Sequence, residues 1–337
     1  MPKKSRLKKL LKRIPKNLFK ALGLALLFAS VAFGVGSSSI PNKTADPFSE
    51  NDILNPPRVA GIKDARSPFG KIVGVGREPK FIGGETFEPS GVSAMSALAI
   101  DWVSGKTLFE KNPSLPLPPA STTKIVTALV VMENYDLSTL VSISKECLGL
   151  KETPNVGFLE GEKVSVENLL YGMLVKSASD ASCALANIDS DHIAFIEKMN
   201  KKAIDLGLKD THFTNEIGFD SKEDNHLSTA SDLATLAREA MKNGVFRGIV
   251  MTKQVTIPSQ INPKNPYFVV NTNELLFNLP GTTGVKTGNT EKAKGCLVFS
   301  YENLGKNILI VVMRSEDRFG DTKKILDWIL SSYSFTL

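Results

Sequence analysis

Two strand-forming segments enclose a helical middle in this chain, and that order most restricts the folds open to it. The first segment reads as a hairpin about Gly105, and the last part of the second as a hairpin about Gly305. Residues 308–313 are continuously apolar, as expected of a central strand that is covered on both faces. The predicted strands are residues 96–101, 106–110, 284–288, 296–301 and 307–314.

The residues between these segments carry the apolar spacing of buried helix faces. A helix is predicted from about Ser121, and another near the C-terminus. The apolar faces comprise Ile125, Ala128, Leu129 and Met132; Leu169, Leu170, Met173 and Leu174; Ile193, Ile196, Met199 and Ala203; and Ile325, Leu326, Ile329 and Leu330. Strands at both ends with helices between them predict one mixed α/β (α+β) unit. In it, both ends build an antiparallel sheet, the middle forms an inserted helical lobe, and a cleft lies between them.

The composition, 42% hydrophobic and 23% charged, is that of a globular protein, but the net charge of +6 misleads. Nine of the 41 basic residues lie in residues 1–20, and the first acidic residue is Asp46. From residue 21 onward, the chain has 32 basic and 35 acidic residues, so this part carries no excess of positive charge. A nucleic-acid-binding domain carries its basic surface on a folded unit, so we expect no nucleic-acid partner.

The basic head, residues 1–20, precedes an apolar run within residues 21–40, which is the pattern of an export signal. Ala32-Phe33-Gly34 fits a signal-peptide cleavage site, whereas the run extended to Ile40 is long enough for a retained anchor. The long basic head favours the anchor. The proline- and glycine-rich residues 41–90 predict a linker, and residues 91–337 the main folded domain. The export signal places that domain on the outer side of the cell membrane, or secreted if the signal is cleaved.

The cysteines and histidines give no sign of a metal or cofactor site. Cys147, Cys183 and Cys296 have mainly apolar neighbours, so we expect buried thiols rather than a disulfide framework. The three histidines lack the spacing of metal ligands, and no phosphate-binding loop is present. We therefore expect no cofactor and no metal.

Three short elements occur in the order needed for acyl transfer: Ser121-Thr122-Thr123-Lys124, then Ser177-Ala178-Ser179, then Lys286-Thr287-Gly288. Ser-x-x-Lys alone is weak evidence, since it also begins at Ser5 and Ser142, whereas Lys-Thr-Gly occurs once. Taken singly, the serines could be helix caps and the third element an ordinary strand. The order of the three is what favours catalysis.

Each element can supply one part of the chemistry. A serine at a helix start lies near unpaired N–H groups that can stabilise an oxyanion, and Lys124 lies one turn along on the same face. Lysine acts as a base only when neutral, which burial and a second cation such as Lys286 would favour. Ser177 could relay a proton to the leaving amine. Lys286 and Thr287 offer donors to a carboxylate.

Gly288 lacks a side chain, so we expect a substrate backbone to approach it closely and to lie along this strand as an added strand.

With these elements in place, the chain resembles the D-alanyl-D-alanine carboxypeptidases, the low-molecular-mass penicillin-binding serine peptidases. The resemblance covers roughly residues 93–333. Beyond the three motifs it rests on Glu160-Gly161-Glu162, Leu169-Leu170-Tyr171-Gly172, Met199-Asn200, Leu206-Gly207, Thr211-His212-Phe213-Thr214-Asn215, the run 226–234 and Thr272-Asn273.

The resemblance implies the sheet-and-lobe fold of β-lactamases and transpeptidases. It also implies a substrate, the peptidoglycan stem peptide ending in D-Ala-D-Ala, and inhibition by β-lactams. Ser121 is implied as the nucleophile, Lys124 as its base and Ser177 as the proton relay. Four residues are implied to bind substrate: Lys286, Thr287, Gly288 and Ser179. The Ser121 and Asn289 amides are implied to form the oxyanion hole, and Arg318 to contact a carboxylate.

The sequence departs from the family pattern at Ser179, where the second motif normally ends in asparagine. Many members also carry a C-terminal β-rich domain with an amphipathic anchor. Here the chain ends soon after the last predicted helix, so we expect the N-terminal segment to provide any anchoring. Two rivals stay open: a catalytically weak or inactive peptidoglycan-binding protein, and a serine β-lactamase. The glutamate element Glu-x-x-x-Asn that a β-lactamase needs after the second motif is not found.

Overall fold

The strands and helices follow the predicted order along the chain. The computed structural model describes residues 78–83, 88–150, 153–220, 222 and 225–335. In chain order the strands are β1 (Lys80–Phe81), β2 (Ser96–Asp101), β3 (Thr107–Lys111), β4 (Leu140–Ser142), β5 (Lys163–Ser165), β6 (Gln254–Ile257), β7 (Tyr267–Val270), β8 (Thr282–Thr290), β9 (Lys294–Asn303), β10 (Lys306–Ser315) and β11 (Tyr333–Ser334). The α-helices are α1 (Lys124–Asn134), α2 (Val166–Val175), α3 (Ser179–Ala186), α4 (His192–Asp205), α5 (Ala230–Ala240), α6 (Gly244–Met251), α7 (Leu275–Asn278) and α8 (Arg318–Ser332). Short 3-10 helices cover Ala120–Thr123 and Lys145–Gly149.

The main sheet has five antiparallel strands in the order β3-β2-β10-β9-β8. It joins the two ends of the chain, as predicted, and the segment between β3 and β8 is largely helical. β10 is central, and β8 forms one edge of the sheet. The antiparallel sheet with an inserted helical lobe is therefore confirmed.

Both faces of the sheet are covered, which explains the continuous apolar run in β10. Ile308, Ile310 and Val312 pack with α8, while their alternate neighbours pack with the helical lobe. Helix α1 lies inside that lobe, and its residues from Lys124 to Val131 are all buried. The 3-10 helix that precedes α1, Ala120–Thr123, contacts the edge strand β8.

Two predictions about the helical lobe are wrong. Ile193 was expected on the buried face of α4 but is 73% exposed, and Phe195 is buried instead, with Met199 and Ala203. Cys147 and Cys183 form a disulfide, and only Cys296 is a free, buried thiol among the described residues. The pairing joins the 3-10 helix at Lys145–Gly149 to α3.

The N-terminal part of the chain is described only from residue 78. Within the described residues no helix is both long and apolar enough to cross a membrane. The predicted tail and anchor, residues 1–40, lie outside the described part. The predicted linker extends to residue 90, but β1 pairs with β11 and Phe81 packs on Trp328, so residues 80–81 belong to the folded unit.

Candidate active site

The Ser121 turn lies where the helical lobe meets the sheet edge. Ser121 is in the 3-10 helix that runs directly into α1, so the predicted helix start near Ser121 is confirmed. Ala120 before it has a φ of 49°, in the left-handed region that L-residues rarely adopt. This turn leaves Ser121 half-buried at the mouth of a cavity.

Lys124 is fully buried and its amine lies beside the Ser121 hydroxyl. The Nζ–Oγ distance is 3.0 Å, and the amine also donates to the Ile217 carbonyl at 2.7 Å. Burial lowers the pKa of Lys124 to about 7, and the Glu216 carboxylate acts in the opposite direction. At neutral pH a large fraction of Lys124 is therefore neutral, as a base must be.

Lys286 and Thr287 are consecutive residues of the edge strand β8. Lys286 is 1% exposed, and its amine donates to the Thr287 carbonyl at 3.0 Å. Burial, together with repulsion from Lys124 and Arg318, holds the pKa of Lys286 well below its usual value. The hydroxyls of Thr287 and Thr272 are 2.6 Å apart, which fixes the Thr287 side chain.

Gly288 is close to protein backbone rather than to open space for a substrate. A Cβ at this position would lie 3.0 Å from the Ala120 Cβ and 3.1 Å from the Ser121 nitrogen. The missing side chain thus lets the Ser121 turn pack on β8. This corrects the reason that the sequence suggested for the glycine.

The second element forms the turn into α3. Ser177 has a φ of 63° and is 5% exposed, and Ser179 is 1% exposed. The Ser179 amide donates to the Pro154 carbonyl at 2.7 Å, but its hydroxyl has no hydrogen-bond partner. Asp180 accepts hydrogen bonds from the Val156 and Gly157 amides at 3.0 and 2.8 Å, so α3 holds the adjacent loop.

Arg318, at the start of α8, is close enough to Lys286 to lower its pKa. Its guanidinium lies over the Phe319 ring at 4.8 Å, and its Nε is buried without a hydrogen-bond partner. Burial also lowers the pKa of Arg318 itself. Three basic side chains, the fully buried Lys124 and Lys286 and the half-buried Arg318, thus lie close together, and an anion bound beside them would favour the charged form of Lys286.

The cavity between lobe and sheet has a volume of about 470 Å³. It brings together three residues predicted from the sequence, Ser121, Ser179 and Asn289. The structure adds lining residues that sequence reasoning missed: Thr153, Pro154, Ile217, Gly218, Phe219, Asp220 and Thr290. In the described part of the chain, no group of three or more His, Cys, Asp or Glu residues could hold a metal ion.

Asp220 links the two walls of this cavity. Its carboxylate accepts from the Thr290 hydroxyl at 2.6 Å and from the Lys292 amide at 3.0 Å. The segment 217–220 is thereby attached to the end of β8. A sequence signal was available, because Asp220 follows closely on the run 211–215 that carries part of the resemblance.

Comparisons with known proteins agree with this geometry. A family model described as D-alanyl-D-alanine carboxypeptidase matches residues 84–317. The D-alanyl-D-alanine carboxypeptidase DacF of Bacillus subtilis is 36% identical over 249 residues, which are 71% of this chain and 63% of that protein. A D-alanyl-D-alanine carboxypeptidase of a Streptomyces species is 35% identical over 257 residues, covering 70% of this chain and 87% of the relative.

The crystal structure of Streptomyces K15 DD-transpeptidase is similar in fold, with a TM-score of 0.68. The sequence identity is 33%, and the match covers 73% of this chain and 99% of that structure. The fold is thus shared with that DD-transpeptidase.

Proposed function

Because the chain belongs to the D-alanyl-D-alanine carboxypeptidase family, we propose that it is a serine-type D-Ala-D-Ala carboxypeptidase of peptidoglycan stem pentapeptides. The observation that most supports this is the buried Lys124 amine, 3.0 Å from the Ser121 hydroxyl, with its pKa lowered to about 7. A lysine in that state has a lone pair that can take the serine proton.

In the first step Ser121 Oγ attacks the carbonyl carbon of the penultimate D-alanine, and Lys124 Nζ takes the hydroxyl proton. The developing oxyanion is held by the Ser121 and Asn289 amides. Removing one such donor typically costs about 10²–10³ in rate. Asn289 lines the same cavity as Ser121, which supports its assignment.

Collapse of the tetrahedral intermediate then breaks the peptide bond and releases D-alanine. Ser177 passes the proton from Lys124 to the departing amine. Its place in the second of the three ordered elements, in the turn before α3, supports this role. Water next attacks the ester on Ser121 and releases the shortened stem peptide.

The terminal carboxylate of the substrate is bound by Lys286, Thr287 and Arg318. No carboxylate among the described residues offsets the repulsion that lowers the pKa of Lys286, so a bound substrate carboxylate would favour its charged form. Arg318 lies half-buried beside it with an unpartnered Nε. The peptide itself lies along the edge of β8. β-Lactam antibiotics, which also carry a carboxylate beside a reactive carbonyl, acylate Ser121 in the same way.

We place the catalytic unit, residues 91–337 together with the β1 segment that pairs with β11, outside the cytoplasm. Residues 21–40 attach it to the membrane after a cytoplasmic tail, residues 1–20. The Cys147–Cys183 disulfide supports an oxidising compartment. The basic head followed by the apolar run supports the anchor.

Labelling with a fluorescent penicillin tests this function against its rivals. We expect a covalent adduct that survives denaturation, slow release of the drug, and no adduct in Ser121→Ala. Failure of the folded wild-type chain to react would favour a binding-only protein. Rapid hydrolysis of the penicillin would favour a β-lactamase.

A further inference from the structure

The Ala120–Ser121 peptide bond connects the proposed oxyanion hole to the interior of the lobe. A peptide unit is planar, so its C=O and N–H groups point in opposite directions and rotate together. Fixing the Ala120 carbonyl therefore fixes the direction of the Ser121 N–H. Ala120 has a φ of 49°, a conformation that a non-glycine residue holds only when its surroundings require it.

The Thr123 hydroxyl holds that carbonyl. Thr123 is fully buried, and its Oγ1 donates to the Ala120 oxygen at 2.8 Å. The same Oγ1 lies 2.9 Å from Nε2 of His226. Since a hydroxyl has one proton and that proton is directed at Ala120, Thr123 must accept a hydrogen bond from His226.

The other nitrogen of His226 fixes its tautomer. The Thr214 amide lies 2.9 Å from Nδ1, and because a backbone N–H can only donate, Nδ1 accepts. Nε2 then carries the proton of the neutral ring. Burial lowers the pKa of His226 to about 4, so this neutral form is the one present at neutral pH.

Gly218 leaves room for the same carbonyl. A Cβ at Gly218 would collide with the Ala120 oxygen. The carbonyl is thus enclosed by Gly218 and anchored by Thr123, and the peptide unit has little freedom to flip.

We infer that a directed chain of hydrogen bonds, from the Thr214 amide through His226 and Thr123 to the Ala120 carbonyl, aims the Ser121 N–H at the oxyanion. Thr123 and His226 are in this view positioning residues for acylation, although neither touches substrate. The inference rests on the proposed function, because it concerns the oxyanion hole of that reaction.

Thr122 provides a matched control for Thr123. Both threonines are fully buried in the same turn, and each hydroxyl donates to a backbone carbonyl. The Thr122 hydroxyl donates to Pro119 at 2.7 Å, which lies outside the Ala120–Ser121 peptide unit. Thr123→Val and Thr122→Val therefore each remove a hydroxyl, from two neighbouring positions. Thr123→Ser keeps the hydroxyl at position 123.

The experiment uses the full chain and resolves penicillin acylation into the affinity of the initial complex and the acylation rate constant. We expect Thr123→Val to lower the rate constant about 10- to 100-fold with little change in affinity, as loss of a transition-state contact does. Thr122→Val and Thr123→Ser should stay within about threefold of the wild type, since neither removes the Thr123 hydroxyl. Circular dichroism and melting curves establish that each variant is folded.

His226 is tested through its coupling to Thr123. We expect His226→Phe to lower the acylation rate constant as Thr123→Val does, His226→Gln to restore part of it, and the double variant Thr123→Val/His226→Phe to be no slower than Thr123→Val alone. If His226→Phe does not fold, the three variants Thr123→Val, Thr122→Val and Thr123→Ser test the inference on their own.

Two results overturn the inference while leaving the proposed function intact. One is a folded Thr123→Val that acylates at the wild-type rate; the other is a Thr122→Val whose acylation rate constant falls as far as that of Thr123→Val. A folded wild-type chain that does not acylate at all overturns the proposed function, and the inference with it.

Discussion

The pH dependence of acylation should follow the ionisation of Lys124. Because burial lowers its pKa to about 7, the neutral fraction is about one part in a hundred at pH 5 and half at pH 7. The second-order acylation rate should therefore rise about tenfold per pH unit below pH 6.5 and level off above pH 8. The total gain from pH 5 to the plateau is about 100-fold.

The assay follows acylation by a fluorescent penicillin with rapid quenching between pH 5 and pH 9. The drug carboxylate remains ionised across this range, so the enzyme sets the profile. Lys124→Arg should be nearly inactive at every pH, because the guanidinium stays protonated.

Glu216 provides a second test of the same assignment. Its carboxylate raises the pKa of Lys124, against the effect of burial. Glu216→Gln removes that charge and should shift the midpoint of the profile to lower pH. A midpoint that does not move, together with an arginine variant that keeps most of its rate, would refute the role of Lys124 as base.

Four further predictions concern the site and the stability of the fold. Ser179→Asn should raise the acylation rate several-fold, about 1 kcal/mol, because the Ser179 hydroxyl has no partner; a slower variant, measured side by side with the parent, would contradict this. Arg318→Ala should raise the KM for a D-Ala-D-Ala peptide about tenfold with a smaller effect on kcat, and an unchanged KM would remove Arg318 from carboxylate binding. Replacing both Cys147 and Cys183 by serine should lower the free energy of unfolding by about 2–4 kcal/mol, because the disulfide closes a loop with a sequence separation of 36; equal urea midpoints would contradict this. Lys124→Met should raise the free energy of unfolding at pH 7 by about 2–3 kcal/mol. Folding lowers the pKa of Lys124 from 10.5 to about 7, which costs the wild type free energy at pH 7, and loss of the hydrogen bond to Ile217 offsets part of the gain.

The sign of the Lys124→Met effect depends on pH. Between pH 7 and pH 10.5 the unfolded chain holds a proton that the native state has released, so the stability of the wild type rises with pH across this window. Denaturant unfolding of both proteins should show the advantage of Lys124→Met shrinking over the same range. A constant difference from pH 7 to pH 10.5 would show that Lys124 is not buried in a depressed-pKa state.

The features that the sequence predicts well depend on local pattern. The β10 strand was recognisable because six consecutive apolar residues can only be a buried strand or helix segment, and flanking turns at Gly305 and beyond favour the strand. The helix at Ser121 was recognisable from its apolar period. Lys124 had to be neutral to act as a base, and the structure places it fully buried.

The features that the sequence did not predict depend on contacts between distant residues. Cys147 and Cys183 form a disulfide although they are 36 positions apart, and no local sequence pattern indicates that they are close in space. His226 reaches Thr123 over 103 positions of sequence. Gly288 looked like an opening for substrate, because the sequence cannot show that the Ser121 turn occupies the space beside it.

The most direct test of the account is release of D-alanine by the full chain from a stem pentapeptide ending in D-Ala-D-Ala. The account predicts steady release by the wild type, none by Ser121→Ala, and after penicillin treatment an adduct that mass spectrometry finds on the peptide containing Ser121. No free D-alanine from folded wild-type protein, or an adduct on another serine, would contradict it.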